Sequence, residues 1–132
     1  MSEDELNKIS ETIIGCAYAV GNALGNGFLE KVYENALLLE LCEKHLNVKQ
    51  QYPINVFYKN VVVGEFIADL LVENKVLIEL KTVKAIDEIH LAQCLNYLKA
   101  TKLPLCLLIN FGKPRVEIKR VFESVNLRNI FK

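Results

Sequence analysis

Apolar residues along this chain recur first at helical spacing and then at strand spacing. Leu6, Ile9, Ile13, Ala17 and Val20 fall three and four residues apart, which predicts one buried stripe on a first helix. Ser2 with Glu5 three residues on forms a capping-box pattern at its start. Glycines and asparagines over 21–27 interrupt the stripe, and a second, heavily buried helix is expected from Phe28 to His45. From Val48 the period changes to two. Strands are expected over Val48–Tyr58, with Pro53 marking an edge or bulge, then Val61–Val72, with Gly64 as a bulge, then Val76–Lys81. Asp87 can cap a third helix that runs to about Ala100, with Ile89, Ala92, Leu95 and Leu98 as its apolar side. Leu105–Asn110 is an almost unbroken apolar run, suited to a strand buried on both faces, and Arg115–Phe122 is expected to be the last strand. The order α-α-β-β-β-α-β-β makes the third helix a crossover, so the strands it joins should be parallel and the sheet mixed.

The chain of 132 residues is 52% apolar and carries 16 basic against 16 acidic side chains. One domain spanning residues 1–132 is expected, long enough to fold on an apolar core. A net charge of zero excludes a binder that works by bulk positive charge, though not a local basic groove. No stretch reaches the ~20 apolar residues a membrane helix needs, and the acidic start lacks the features of a signal peptide. A soluble cytoplasmic protein is the expectation. Cys16, Cys42, Cys94 and Cys106 form no CxxC pair and are read as reduced, mostly buried thiols.

Polar residues in apolar surroundings carry the chemistry. Asp69 is the one acid in Phe66–Val72, and Glu79 and Lys81 interrupt Val76–Lys81. Glu79 and Lys81 are two apart on a strand and so share a face. If the intervening turn centres on Asn74, Asp69 lies opposite Glu79; a slip of one residue would separate them, and the sequence allows either. Two carboxylates on a half-buried face repel, and a divalent cation removes that penalty. Mg²⁺ favours oxygen ligands and joins carboxylates to substrate phosphate. Lys81 could then orient water or hold a phosphate oxygen. The plain alternative is a salt bridge between Lys81 and an acid on a solvated face. Gln93 and Tyr97 lie four apart on one face of the third helix, and Glu30 and Tyr33 are neighbours on the second, where Glu30 could add a carboxylate to the site.

Taken together, these residues resemble the PD-(D/E)xK nuclease superfamily, and in particular its GxxExxY family. Gly27, Glu30 and Tyr33 match the motif that names the family. Asp69, Glu79 and Lys81 match the D…(D/E)xK motif, and Gln93 with Tyr97 match the QxxxY motif of the RecB-like branch. Ala68 stands where a proline would precede the aspartate. The similarity spans about residues 5 to 122. It implies an α/β, restriction-endonuclease-like αβββαβ core with a mixed sheet flanked by helices. It also implies Mg²⁺ (or Mn²⁺) bound by Asp69, Glu79, the Leu80 carbonyl and Glu30, with Lys81 as catalytic lysine and Gln93 and Tyr97 positioning substrate or water. The expected activity is metal-dependent phosphodiester hydrolysis in DNA, or RNA, with a homodimer left open. The alternatives are a catalytically inactive nuclease-fold module that binds nucleic acid or protein, and a branched-DNA resolvase.

Other residues attract weaker readings. His45 is expected at a helix end, and His90, one turn before Gln93, as a surface residue that could reach the site. Tyr52, Phe57, Tyr58 and Phe66 are expected to pack in the sheet rather than to stack on bases. The basic residues Lys113, Arg115, Lys119, Arg120, Arg128 and Lys132 could form a phosphate-binding edge or a solvated strand and tail. Gly25–Phe28 is not a phosphate-cradling loop, because it has no strand before it and no lysine after it.

Overall fold

The computed structural model describes residues 2–123. Helix α1 spans Glu3–Leu24. Ser2 Oγ accepts the Glu5 N–H at 3.1 Å, and the acidic first turn complements the helix dipole. Gly25, at φ 68°, ends the helix by donating its N–H to the Gly21 carbonyl. Helix α2 spans Glu30–Glu43. It begins two residues later than the sequence predicts, because the backbone of Leu29 is still extended, and it ends before His45, which is left-handed at φ 62°. It is also less buried than expected: Tyr33, Glu34, Leu37 and Leu41 face inward, while Leu29, Val32 and Leu39 are exposed.

Strands β1 (Val48–Tyr58), β2 (Val61–Val72) and β3 (Val76–Lys81) form an antiparallel meander. Helix α3 (Glu88–Thr101) crosses over to β4 (Leu105–Asn110), which pairs parallel with β3. Strand β5 (Glu117–Phe122) closes the sheet antiparallel to β4, starting two residues after the expected Arg115. The sheet order is β1-β2-β3-β4-β5. This is the mixed, helix-flanked, restriction-endonuclease-like core. Among the described residues, no helix is long and apolar enough to cross a membrane.

Alternation along the central strands feeds two cores. Val76, Ile78 and Leu80 of β3, with Leu105, Leu107 and Ile109 of β4, pack against α1 and α2. Leu77, Cys106 and Leu108 pack against α3. The same alternation puts Glu79 and Lys81 on the α3 side. Helix α3 docks through Leu91, Cys94, Tyr97 and Leu98; of the expected stripe Leu98 is buried and Leu95 packs at the margin of the core, whereas Ile89 is left 77% exposed. Phe57, Tyr58 and Phe66 are also exposed, contrary to the expectation of sheet packing. Cys16, Cys94 and Cys106 are buried free thiols, whereas Cys42 is exposed.

Strand β1 is an edge, as Pro53 suggests, and it is irregular. Gln51, at φ 56°, drops out of the pairing opposite Asp69, and the register shifts between Val56 and Phe57, beside Gly64. At the other end of the core, Asn110 ties the loop after β3 to the turn after β4. Its Oδ1 accepts the N–H groups of Val83 and Gly112, and its Nδ2 donates to the Val83 carbonyl and to Glu117.

Candidate active site

The β2–β3 hairpin turns through Glu73, Asn74 and Lys75, with Glu73 and Asn74 left-handed at φ 54° and 56° and the Lys75 N–H donating to the Val72 carbonyl at 3.0 Å. Backbone pairing runs Val72↔Val76, Leu71↔Leu77 and Leu70↔Ile78 and then stops. One step further, side chains replace the ladder. The Asp69 N–H donates to Glu79 Oε1 at 3.1 Å, and the Leu80 N–H donates to Asp69 Oδ2 at 2.7 Å. Asp69 therefore lies opposite Glu79, in the register centred on Asn74. Lys81 Nζ, on the same face as Glu79, approaches Glu79 Oε2 to 3.7 Å. Phe111 N–H donates to the Lys81 carbonyl at 2.9 Å, so the Lys81 backbone faces β4 and, by alternation, the Leu80 carbonyl faces the acids.

The acid pair is held in a poorly solvated setting that disfavours its charge. Burial and the negative charge of Asp69 push Glu79 from an ordinary 4.5 up to about 8, against the opposing pull of the Asp69 N–H and Lys81. Burial also raises Asp69, opposed by the Leu80 N–H, and the charge of Glu34 adds to the rise. Glu30, in the first turn of α2, is raised by burial and then by Asp69, so its carboxylate feels the same site.

Two helices frame the pair. Gln93 Nε2 donates to Tyr97 Oη at 3.0 Å, and that hydroxyl reaches the Ile67 carbonyl, two residues before Asp69, at 3.5 Å. Burial, followed by the charge of Glu79, pushes Tyr97 up to about 12. On the other side, the spacing of Gly27, Glu30 and Tyr33 has a structural explanation. Gly27 sits at φ 120°, where a side chain is strained. Tyr33 is fully buried; its hydroxyl donates to the Gly25 carbonyl at 2.6 Å and accepts the Phe28 N–H at 3.2 Å, and its ring stacks on Phe111. The tyrosine thus clamps the loop that launches Glu30.

The sequence did not single out Glu34, Gln50 and Gln51. Glu34 is buried one turn after Glu30 and accepts hydrogen bonds from Lys31, Gln50 and Gln51. Burial alone would raise its carboxyl, but those bonds outweigh it and hold it below the ordinary value. Gln50 and Gln51 are successive strand residues, which ordinarily point to opposite faces; the left-handed Gln51 lets both reach the same carboxylate. The tandem glutamines within a strand pattern were the visible hint. His90 is absorbed by the start of α3, where its Nδ1 accepts the Asp87 N–H at 3.1 Å in a capping box. Lys113 pairs with Glu117 at 3.8 Å, while Arg128 and Lys132 lie outside the described residues.

Among the described residues, no three His, Cys, Asp or Glu side chains converge closely enough to hold an ion. A closed, zinc-like cage is therefore absent there. Two carboxylates plus a facing carbonyl make an all-oxygen donor set, the kind that hard divalent cations favour. The raised acids are the complement of such a charge.

The sequence profile of the PD-(D/E)XK nuclease superfamily matches residues 7–121. No curated protein matches. The crystal structure of SSO0001 is similar in fold, with a TM-score of 0.57 at 18% identity over 76% of this chain and 54% of that one. The present chain thus spans about half the length of that protein. An alkaline exonuclease, LHK-Exo, from Laribacter hongkongensis aligns with a TM-score of 0.49 at 12% identity, over 87% of this chain and 82% of that one.

Proposed function

Because the chain belongs to the PD-(D/E)XK nuclease superfamily, we propose that it hydrolyses phosphodiester bonds in nucleic acid, DNA in the first instance, with one Mg²⁺ or Mn²⁺ as cofactor. Asp69, Glu79 and the Leu80 carbonyl would hold the ion, with Glu30 facing it through water. Bound there, the ion supplies Lewis-acid activation of water and neutralises charge on the phosphate. Lys81 places an ammonium beside Glu79, where it can steady a phosphate oxygen and orient the attacking water. Tyr97 can donate a hydrogen bond to substrate, and Gln93, which donates to its hydroxyl, fixes its direction. Gly27, Glu30 and Tyr33 favour the GxxExxY branch of the superfamily.

The observation that carries this reading is the cross-braced Asp69–Glu79 pair with Lys81 on the same face. The test is to incubate wild type, Asp69→Asn and Glu79→Gln with single-stranded, duplex and branched DNA and with RNA, in Mg²⁺ or Mn²⁺. Cleavage by wild type alone supports the proposal; equal cleavage by the variants overturns it. The balance of 16 acidic and 16 basic side chains favours a second reading, an inactive binding module. Binding without cleavage of any substrate would select it.

A further inference from the structure

Beyond Tyr97, whose hydroxyl reaches the Ile67 carbonyl beside the acid pair, the α3 side of the sheet continues as a largely apolar surface. Phe66 of β2 packs its ring 5.9 Å from that of Tyr97, and beyond it two shallow depressions adjoin. One, of about 320 Å³, lies between Phe66, Ile89, Gln93 and Tyr97. The other, of about 560 Å³, lies between Phe57, Phe66, Asn96, Lys99 and Lys102. They share Phe66 and Asn96, so they form one track that begins at the Gln93–Tyr97 pair and ends at two lysines.

The lining is chemically specific. Phe57 is 62% and Phe66 47% exposed, so both side chains meet water. Lysines are the charged residues of the lining, and no acid contributes to it. Lys99 and Lys102 sit at the C-terminal end of α3, Lys102 in the left-handed cap position, and neither forms a salt bridge with a described residue. Asn96 adds an amide between the rings and the cations.

We propose that this track binds single-stranded nucleic acid and leads it to the acid pair; the inference rests on the nuclease reading and names its substrate. Aromatic faces recognise base faces, which a duplex hides inside its stack and a single strand offers. Free lysines beside them match the phosphates of the same strand. An apolar partner surface would leave the two lysines uncompensated, and a duplex would leave Phe57 and Phe66 without contacts.

The test is fluorescence anisotropy with wild-type protein in EDTA, so that nothing is cut. The probe is a labelled mixed-sequence DNA strand of roughly 16 nucleotides, compared with its duplex. The single strand should bind more tightly. Phe57→Ala should weaken it by roughly tenfold, and Phe57→Tyr should restore it. The double variant Lys99→Ala/Lys102→Ala should lower the slope of log affinity against log salt by about 1.4, two phosphate contacts at ~0.7 each. Lys44→Ala, at the end of α2, should change nothing. Urea unfolding of each variant checks that it is folded.

Unchanged affinity in Phe57→Ala and in the double lysine variant overturns the inference. So does sedimentation showing a wild-type dimer that Phe57→Ala dissociates, since a second copy would then cover the track. The two readings fail separately. If wild type cleaves and Phe57→Ala binds and cleaves as well, the track is wrong and the nuclease stands. If the strand binds through Phe57 but no metal supports cleavage, the track stands and the nuclease falls.

Discussion

Replacing Glu79 with glutamine should remove activity and yet stabilise the metal-free protein. The amide keeps the acceptor that Asp69 N–H uses at 3.1 Å, and it loses only the charge. In the folded protein the Glu79 carboxyl is raised from 4.5 to about 8, so it keeps its proton through neutral pH, whereas the unfolded chain releases it near 4.5. Between those values the folded state binds more protons, and stability falls as pH rises. The contribution is full below the unfolded pKa and is lost as pH climbs through the folded one. At pH 7 some 2.5 units of that window have been crossed, which at ~1.36 kcal/mol per unit is about 3 kcal/mol. Glutamine does not titrate, so its advantage over wild type should grow from near zero at about pH 4.5 to about 3 kcal/mol at pH 7. Asp69 shares the coupling, and adding Asp69→Asn should yield less than the sum of the single gains. The assay is urea denaturation in EDTA across that pH range, repeated with Mg²⁺. At 100 times its dissociation constant the ion should return about 2.7 kcal/mol to wild type and little to the variant. A flat difference across pH, or a wild type that gains stability as pH rises, would refute the reasoning.

Tyr33→Phe keeps the stack on Phe111 but strips the clamp from Gly25 and Phe28, so urea unfolding should show a loss of about 1–3 kcal/mol, and cleavage should fall with it as Glu30 loosens. Glu34→Gln removes the charge that gathers Lys31, Gln50 and Gln51, and should cost about 1–3 kcal/mol at pH 7. Because the folded carboxyl lies below its unfolded value, that cost should vanish as acid protonates the wild type, which unfolding at low pH can read. Gly112→Ala would drive a Cβ into the Thr82–Val83 backbone, which must move, so a loss of about 1–3 kcal/mol or more is expected by thermal unfolding.

Period-two alternation and the turn residues made the strands readable: β2, β3 and β4 fall at the bounds the sequence predicts, and the Asn74 turn puts Asp69 opposite Glu79. Helix faces were harder to read. Ile89, Ala92, Leu95 and Leu98 have sound helical spacing, but so do Leu91, Cys94, Leu98 and Tyr97, and only docking against β4 decides between them. The exposure of Phe57 and Phe66 was illegible for a related reason. An aromatic in a strand pattern is ordinarily covered, and the spacing along β1 and β2 does not show that α3 stops short of these two. Glu34 left only an indirect trace, the tandem glutamines, because a buried glutamate is recognisable only once its donors arrive, and Gln50 and Gln51 come from another element.

Among the described residues, strand β1 leaves one flank of an eleven-residue extended segment without a partner strand at the margin of the sheet. Such a margin invites the same segment of a neighbouring molecule to add on and begin a fibre. Here the invitation is spoiled three times over. Gln51 swivels the chain, Pro53 has no N–H to give, and the slip at Val56/Phe57 breaks the rhythm of donors and acceptors. The hairpin thus carries exposed aromatic rings near its tip while its outer edge offers a neighbouring strand only a broken ladder.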